Sequence, residues 1–203
     1  MKFKYITIER EYGSGGTEIA QKVAEKCGIS CYGVEIMEQA AGKLHISIDE
    51  AQRYEEKITS SFLYSMFVMG QVQIGNINSL PMESRLYVEE HNAICEFAKK
   101  GCGVFVGHCA SEALKDESGV LRVFIRANSD FKRNRVVSAY GIAEKDADIT
   151  CRRFDKKRST YYTFNTSKKW DDLGNYDMVL DSSTLGIDGC VDAIAALLLK
   201  GGK

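Results

Sequence analysis

Residues 3–17 read Phe3-Lys4-Tyr5-Ile6-Thr7-Ile8-Glu9-Arg10-Glu11-Tyr12-Gly13-Ser14-Gly15-Gly16-Thr17, and the fold follows from how this stretch is parsed. Its first six residues alternate in the manner of a strand. Glycines follow, and then apolar residues at Ile19, Ala20, Val23 and Ala24 with the spacing of a helix. Strand, glycine loop and helix N-terminus in that order form an anion cradle, because backbone N–H groups point inward and the helix dipole adds positive potential. The common phosphate-binding loop reads G-x-x-x-x-G-K-[ST]. Aligned on Gly15, this chain has Arg10 at the first glycine, Gly16 at the lysine and Thr17 at the hydroxyl. The spacing is kept, but the cation that reaches the outer phosphates is not. A tight strand-to-helix turn is the plainer reading of the same residues. Gly13, Gly15 and Gly16 with a following Thr favour the cradle, since they let the backbone adopt positive φ and approach a phosphate. Arg10, Gly13, Ser14, Gly15, Gly16 and Thr17 are therefore the candidate phosphate-binding residues, with Thr17 the candidate Mg²⁺ ligand.

From that loop outward, helices and strands alternate. Helices are expected over residues 17–26, 35–41, 48–56, 83–99, 130–138, 143–162 and 187–200. Strands are expected over 30–32, 104–106, 120–126 and 176–181. Gly28 is placed to end the first helix. Such alternation predicts an α/β fold, a parallel sheet covered by helices on both faces. Ligands in such sheets bind at the carboxyl ends of the strands. The glycine loop, Gly107-His108-Cys109 and Arg126-Ala127-Asn128 would share that edge. Residues 58–80 are apolar without clean periodicity, and three readings stand for them: a cover for the substrate, a contact for a second copy in a homo-oligomer, or plain packing.

The bulk composition excludes some function classes. The 203 residues suffice for one sizeable domain, or one with a mobile lid. A single proline and no low-complexity stretch argue against a linker between domains. With 27 basic and 28 acidic residues, no nucleic-acid or membrane-surface role is expected. Seven cysteines, an odd number without C-x-x-C spacing, read as reduced thiols. The strand-like start carries no signal-peptide pattern, no apolar run reaches a membrane span, and a cytoplasmic protein is expected.

Two further groups could carry chemistry. Lys132-Arg133-Asn134-Arg135 and Arg152-Arg153-Phe154-Asp155-Lys156-Lys157-Arg158 are basic helical segments. Arg152, Asp155 and Arg158 recur at i, i+3 and i+6, with Asp155 able to orient either arginine. Guanidinium groups bind phosphoryl oxygens bidentately and neutralise charge during transfer. A solvated charged face is the bland alternative. His108 belongs on the ligand edge, whereas His45 and His91 have weaker claims. No zinc spacing or nucleophile-elbow pattern is present.

At these residues the sequence resembles the cytidylate kinase-like family, a branch of the P-loop nucleoside monophosphate kinases. The resemblance rests on Ile8-Glu-Arg-Glu-Tyr-Gly-Ser-Gly-Gly, Val106-Gly107-His108-Cys109-Ala110, and Asp155-Lys-Lys-Arg158 with Tyr161-Tyr162. Asn175-Tyr-Asp-Met-Val-Leu-Asp-Ser-Ser and Leu185-Gly-Ile-Asp-Gly extend it over almost the whole chain. It implies a single kinase-like domain over 1–203 with a helical lid near 130–170, using ATP and Mg²⁺. It further implies Arg133, Arg152, Asp155 and Arg158 at the transfer site, and Tyr32, Glu35, Gly107 and His108 facing the acceptor. The chain departs from cytidylate kinases where Gly16 replaces lysine and where Gly107-His108-Cys109 replaces G-R-D. An ATP-dependent phosphotransferase acting on a nucleotide or other small acceptor is the first functional expectation. A non-catalytic nucleotide or anion sensor on the same fold is the alternative, and a structural or partner-binding protein the third.

Overall fold

The computed structural model of the protein describes residues 3–57 and 80–199. Five parallel strands form one sheet in the order β2-β3-β1-β4-β5: β1 (Tyr5–Arg10), β2 (Ser30–Tyr32), β3 (Gly103–Val106), β4 (Val120–Arg126) and β5 (Met178–Asp181). Among the described residues the α-helices are α1 (Gly16–Cys27), α2 (Val34–Leu44), α3 (Ile48–Lys57), α4 (Met82–Lys99), the short α5 (Ala110–Ala113), α6 (Ser129–Tyr140), α7 (Glu144–Thr166) and α8 (Ser182–Leu199). Helix α8 is broken by the non-helical Gly186. The expected α/β sheet with helices on both faces is therefore the observed fold. Residues 58–79 of the apolar segment, read as a substrate cover, a contact for a second copy or plain packing, lie outside the described residues.

The strand alternation decides the two layers. Ile6 and Ile8 of β1, Val104 and Val106 of β3, and Leu121, Val123 and Ile125 of β4 point to one face. There they bury against Ile19 and Val23 of α1 and Ile194 and Leu198 of α8. Tyr5 and Phe105 point to the opposite face and pack on Ile94 and Phe97 of α4. Tyr5 Oη also donates to the Ala98 carbonyl at 3.1 Å. Each fully buried Ile or Phe contributes about 1.5–3 kcal/mol by leaving water. This sandwich is therefore the rigid base from which the strand ends project.

Local signals set the helix ends. Gly28 caps α1 in the left-handed conformation at φ 65° and returns its N–H to the carbonyls of Ala24 and Glu25. The Asn128 side chain accepts from Phe131 N–H at 2.8 Å and starts α6. All seven cysteines are free thiols. Among the described residues, no helix is long and apolar enough to cross a membrane.

Candidate functional site

The glycine loop joins the end of β1 to the start of α1, at the centre of the sheet. Gly13 and Gly15 hold φ of 81° and 77°, a region that only glycine enters without strain. The amides of Gly15, Gly16, Thr17 and Glu18 meet no acceptor among the described residues, and no side chain caps the helix. Buried main-chain donors are nearly always paired. Gly15 and Gly16 are buried, so this row of unpaired donors at a helix N-terminus has the chemistry of an anion site. Thr17 is exposed at the second position of α1.

The loop is pinned from several sides. Ser14 Oγ donates to Glu11 O at 2.8 Å, and Ser182 Oγ donates to Ser14 O at 2.7 Å. Asp155 of α7 accepts Tyr12 N–H at 2.6 Å and Lys132 Nζ at 2.8 Å, while Lys132 also lies 3.3 Å from Glu11. Tyr12 stacks on Phe154 with ring centroids 4.3 Å apart. Helix α6 passes over Gly13, where a Cβ would meet Lys132 O at 3.0 Å. Asp155 is thus the tie that holds α6 and α7 to the loop.

The arginines divide by helix face. Residues on a helix advance about 100° each, so Arg133 and Arg135 stand about 200° apart on α6. Arg133 turns outward to Asp130 and Asp148, at 2.9 and 2.8 Å. Arg135 turns inward to pair with Glu18, and its Nε lies 3.4 Å from where a Gly15 Cβ would stand. Arg152 is exposed, while Arg158 reaches the loop and donates to Arg10 O at 2.9 Å. Of the basic residues expected at the site, the structure brings Arg10 and Arg158 together and leaves Arg133 and Arg152 at the surface. The inward Arg135 belonged to the basic segment, but sequence spacing could not select it.

Arg10 and Arg158 face a cleft of about 410 Å³ between α2, α3 and α7, which Glu9, Glu55, His108, Phe154, Tyr161 and Tyr162 also line. Neither arginine has a carboxylate within salt-bridge distance among the described residues. Burial first, and then the like charge of Arg10, pull the Arg158 pKa down to about 10, against the opposing influence of Asp155 and Glu9. It remains a cation at neutral pH. Two guanidinium groups lining one cleft, neither in a direct ion pair among the described residues, make a binding wall for an anion.

The floor of the cleft is a strained turn. Gly107, His108 and Cys109 all have positive φ, at 75°, 52° and 52°. Non-glycine residues in this region cost about 1–3 kcal/mol each, so two in succession are held only by strong surroundings. That hold comes from a buried polar cluster. His108 Nδ1 lies 3.0 Å from Glu90 Oε1 and 3.3 Å from Glu55 Oε1, and Tyr161 Oη donates to the other Glu90 oxygen. Burial opposes charge on His108, but Glu90 and Glu55 more than offset it and raise the ring to about 10. Burial is the largest influence on both carboxyls and raises Glu90, while at Glu55 the hydrogen bond and charge of His108, with Glu90 and Arg10, together outweigh burial and lower the group. His108 is therefore an imidazolium at neutral pH, and the turn keeps a cation where G-R-D would supply arginine. Glu90 could have been noticed in the sequence, since it lies four residues after Leu86 and before Ile94, on the buried stripe of α4. Glu55 carried no such signal.

Two expected acceptor residues serve the scaffold. The Tyr32 ring stacks on Phe97 at 4.4 Å and tilts against Phe105 at 5.3 Å. Glu35 accepts Gly33 N–H at 3.0 Å at the start of α2. Gly107 lies directly beneath the Arg10 guanidinium, and a Cβ there would meet Cζ at 3.2 Å.

Comparison with solved structures finds the same fold in an uncharacterized protein and in shikimate kinases. An uncharacterized protein from Eubacterium ventriosum is 26% identical, with a TM-score of 0.69, over 96% of this chain and 97% of that one. Shikimate kinase from Bacteroides thetaiotaomicron is 14% identical at TM-score 0.54, covering 96% and 98%. Shikimate kinase from Acinetobacter baumannii, solved with shikimate, is 12% identical at TM-score 0.53, covering 98% and 95%. Nothing among curated proteins matched the chain. The family profile that does match, over residues 5–184, assigns the chain to the cytidylate kinase-like family.

Proposed function

We propose that the protein is an ATP-dependent phosphotransferase whose acceptor is a nucleotide or another small anionic molecule. The single observation that carries this reading is the pair of guanidinium groups on Arg10 and Arg158. They line one cleft, neither in an ion pair with a carboxylate among the described residues, and the stem of Arg10 passes Gly16 of the loop whose amides are unpaired. Phosphoryl transfer needs positioning and charge neutralisation more than covalent chemistry. The loop amides would hold the donor phosphates, and Arg10 and Arg158 would meet the transferred group. His108 would face the acceptor, with Phe154, Tyr161 and Tyr162 as its apolar walls. Helices α6 and α7 would act as the lid. The exposed Thr17 hydroxyl is the protein's oxygen for Mg²⁺, which would take its other ligands from phosphate and water and neutralise donor charge when bound.

A coupled ATP-consumption assay over the common nucleoside monophosphates and hydroxylated small acids tests the reading. Turnover with at least one acceptor, lost in Arg158→Met, is the expected result. Tight ATP binding without turnover of any acceptor would instead favour a nucleotide sensor. The observation on that side is Gly16, which stands at the lysine position of the loop.

A further inference from the structure

Arg10 and Gly16 stand at opposite ends of the glycine loop, yet they occupy one space. A Cβ added to Gly16 would run into the Arg10 side chain, meeting Cβ and then Cγ at 2.8 Å. The stem of Arg10 therefore crosses the ground from which a lysine at position 16 would have to start. Its guanidinium then continues to Gly107 at the end of β3, where a Cβ would meet Cζ at 3.2 Å and Nη2 at 3.5 Å. The stem can pass Gly16 only because that residue lacks a Cβ, and Gly107, at φ 75°, leaves room for the guanidinium. Along the way Arg10 Nε is buried and has no hydrogen-bond partner.

We infer that Arg10 is the cation of this phosphate loop, exchanged with Gly16, so that the charge rises from the strand end and the bare position falls on the helix. The proposal rests on the kinase reading above and assigns one of its roles. In the common loop, glycine stands first and lysine precedes the hydroxyl residue. Here the two have traded places. The exchange is steric: an arginine at position 10 and any side chain at position 16 exclude one another. A single substitution toward the common pattern must therefore fail where the paired substitution succeeds. It also gives a loop without lysine a cation in the cleft at the strand ends, where Arg10 lies with Arg158.

The test is a double-mutant cycle on the full chain, read by melting temperature and by calorimetric binding of MgATP and of inorganic tripolyphosphate. Arg10→Met keeps the stem and removes the charge. It should melt near the wild-type temperature and bind both probes about tenfold to a hundredfold more weakly, the range for a bond to a charged group. Gly16→Lys alone should melt lower. Arg10→Gly should bind weakly, and Arg10→Gly with Gly16→Lys should recover affinity to within about threefold of wild type and regain the melting temperature lost by Gly16→Lys. Wild-type affinity in Arg10→Met would overturn the assignment. So would a paired variant that binds no better than Arg10→Gly, or a Gly16→Lys chain as stable as wild type. A wild-type chain that binds neither probe would defeat the kinase reading itself. That result is distinct from one in which the wild type binds and only the variants disobey.

Discussion

Gly107→Ala moves the Arg10 guanidinium without altering its charge. Gly107 holds φ 75°, and an added Cβ would overlap Nη1 of Arg10, with Cζ at 3.2 Å. Two effects follow. The left-handed backbone costs about 1–2 kcal/mol for a residue with a Cβ. The guanidinium must also swing aside, which is cheap in stability because it is the far end of a flexible side chain. Gly28→Ala is the matched control: its φ is 65° and nothing lies within 4 Å of an added Cβ. It caps the far end of α1, about 18 Å from the loop at 1.5 Å per residue. Both variants should lose about 1–2 kcal/mol, or about 2–8 °C in melting temperature for a domain of this size. Only Gly107→Ala should weaken calorimetric binding of MgATP, by about tenfold. Equal affinities in the two variants would show that the guanidinium's place over Gly107 is irrelevant to the anion, and would refute the reasoning.

The remaining expectations concern the cleft and its supports. His108 is raised to about 10 in the folded chain from an ordinary value near 6.5, so the folded state holds the extra proton. Its stabilisation is full below about pH 6.5 and fades as pH climbs toward 10, by up to about 1.4 kcal/mol per unit; Glu90, also raised, acts in the same direction. Thermal melts across that window should slope downward for the wild type and flatten in His108→Gln, and parallel slopes would contradict the ion cluster. Arg158→Met should lower kcat by about 10²–10³, the scale for losing one preorganised donor, in the ATP-consumption assay. Arg133→Met should leave both ATP affinity and melting temperature almost unchanged, because its partners Asp130 and Asp148 lie at the surface; a large kinetic defect would move it back to the transfer site. Asp155→Ala should destabilise by about 1–3 kcal/mol in denaturant unfolding, since Tyr12 N–H loses its acceptor and Lys132 the nearer of its two carboxylates.

The elements and the loop were legible in the residues alone because their signals are local. Alternation in 3–8 and helical spacing from Ile19 depend on a period of two or of 3.6 residues, and Gly13 and Gly15 announce positive φ by lacking a Cβ. The order of strands and helices then limited the fold to a parallel sheet with its ligand edge at the loop.

Tertiary packing decided which side chains share the cleft. Arg152 and Arg158 are six residues apart, hence about 120° short of two full turns, and only the second faces inward. Arg133 and Arg135 part for the same reason. Tyr32 looked like an acceptor contact and is a stacked scaffold ring, because Phe97 from α4 meets it across the sheet edge. The Glu55–Glu90–His108 cluster joins α3, α4 and the turn after β3, segments whose meeting has no local signature. The Arg10–Gly16 exclusion is of the same kind. The residues at each position stand in the sequence, but only the path of the backbone through the loop brings them into one another's volume.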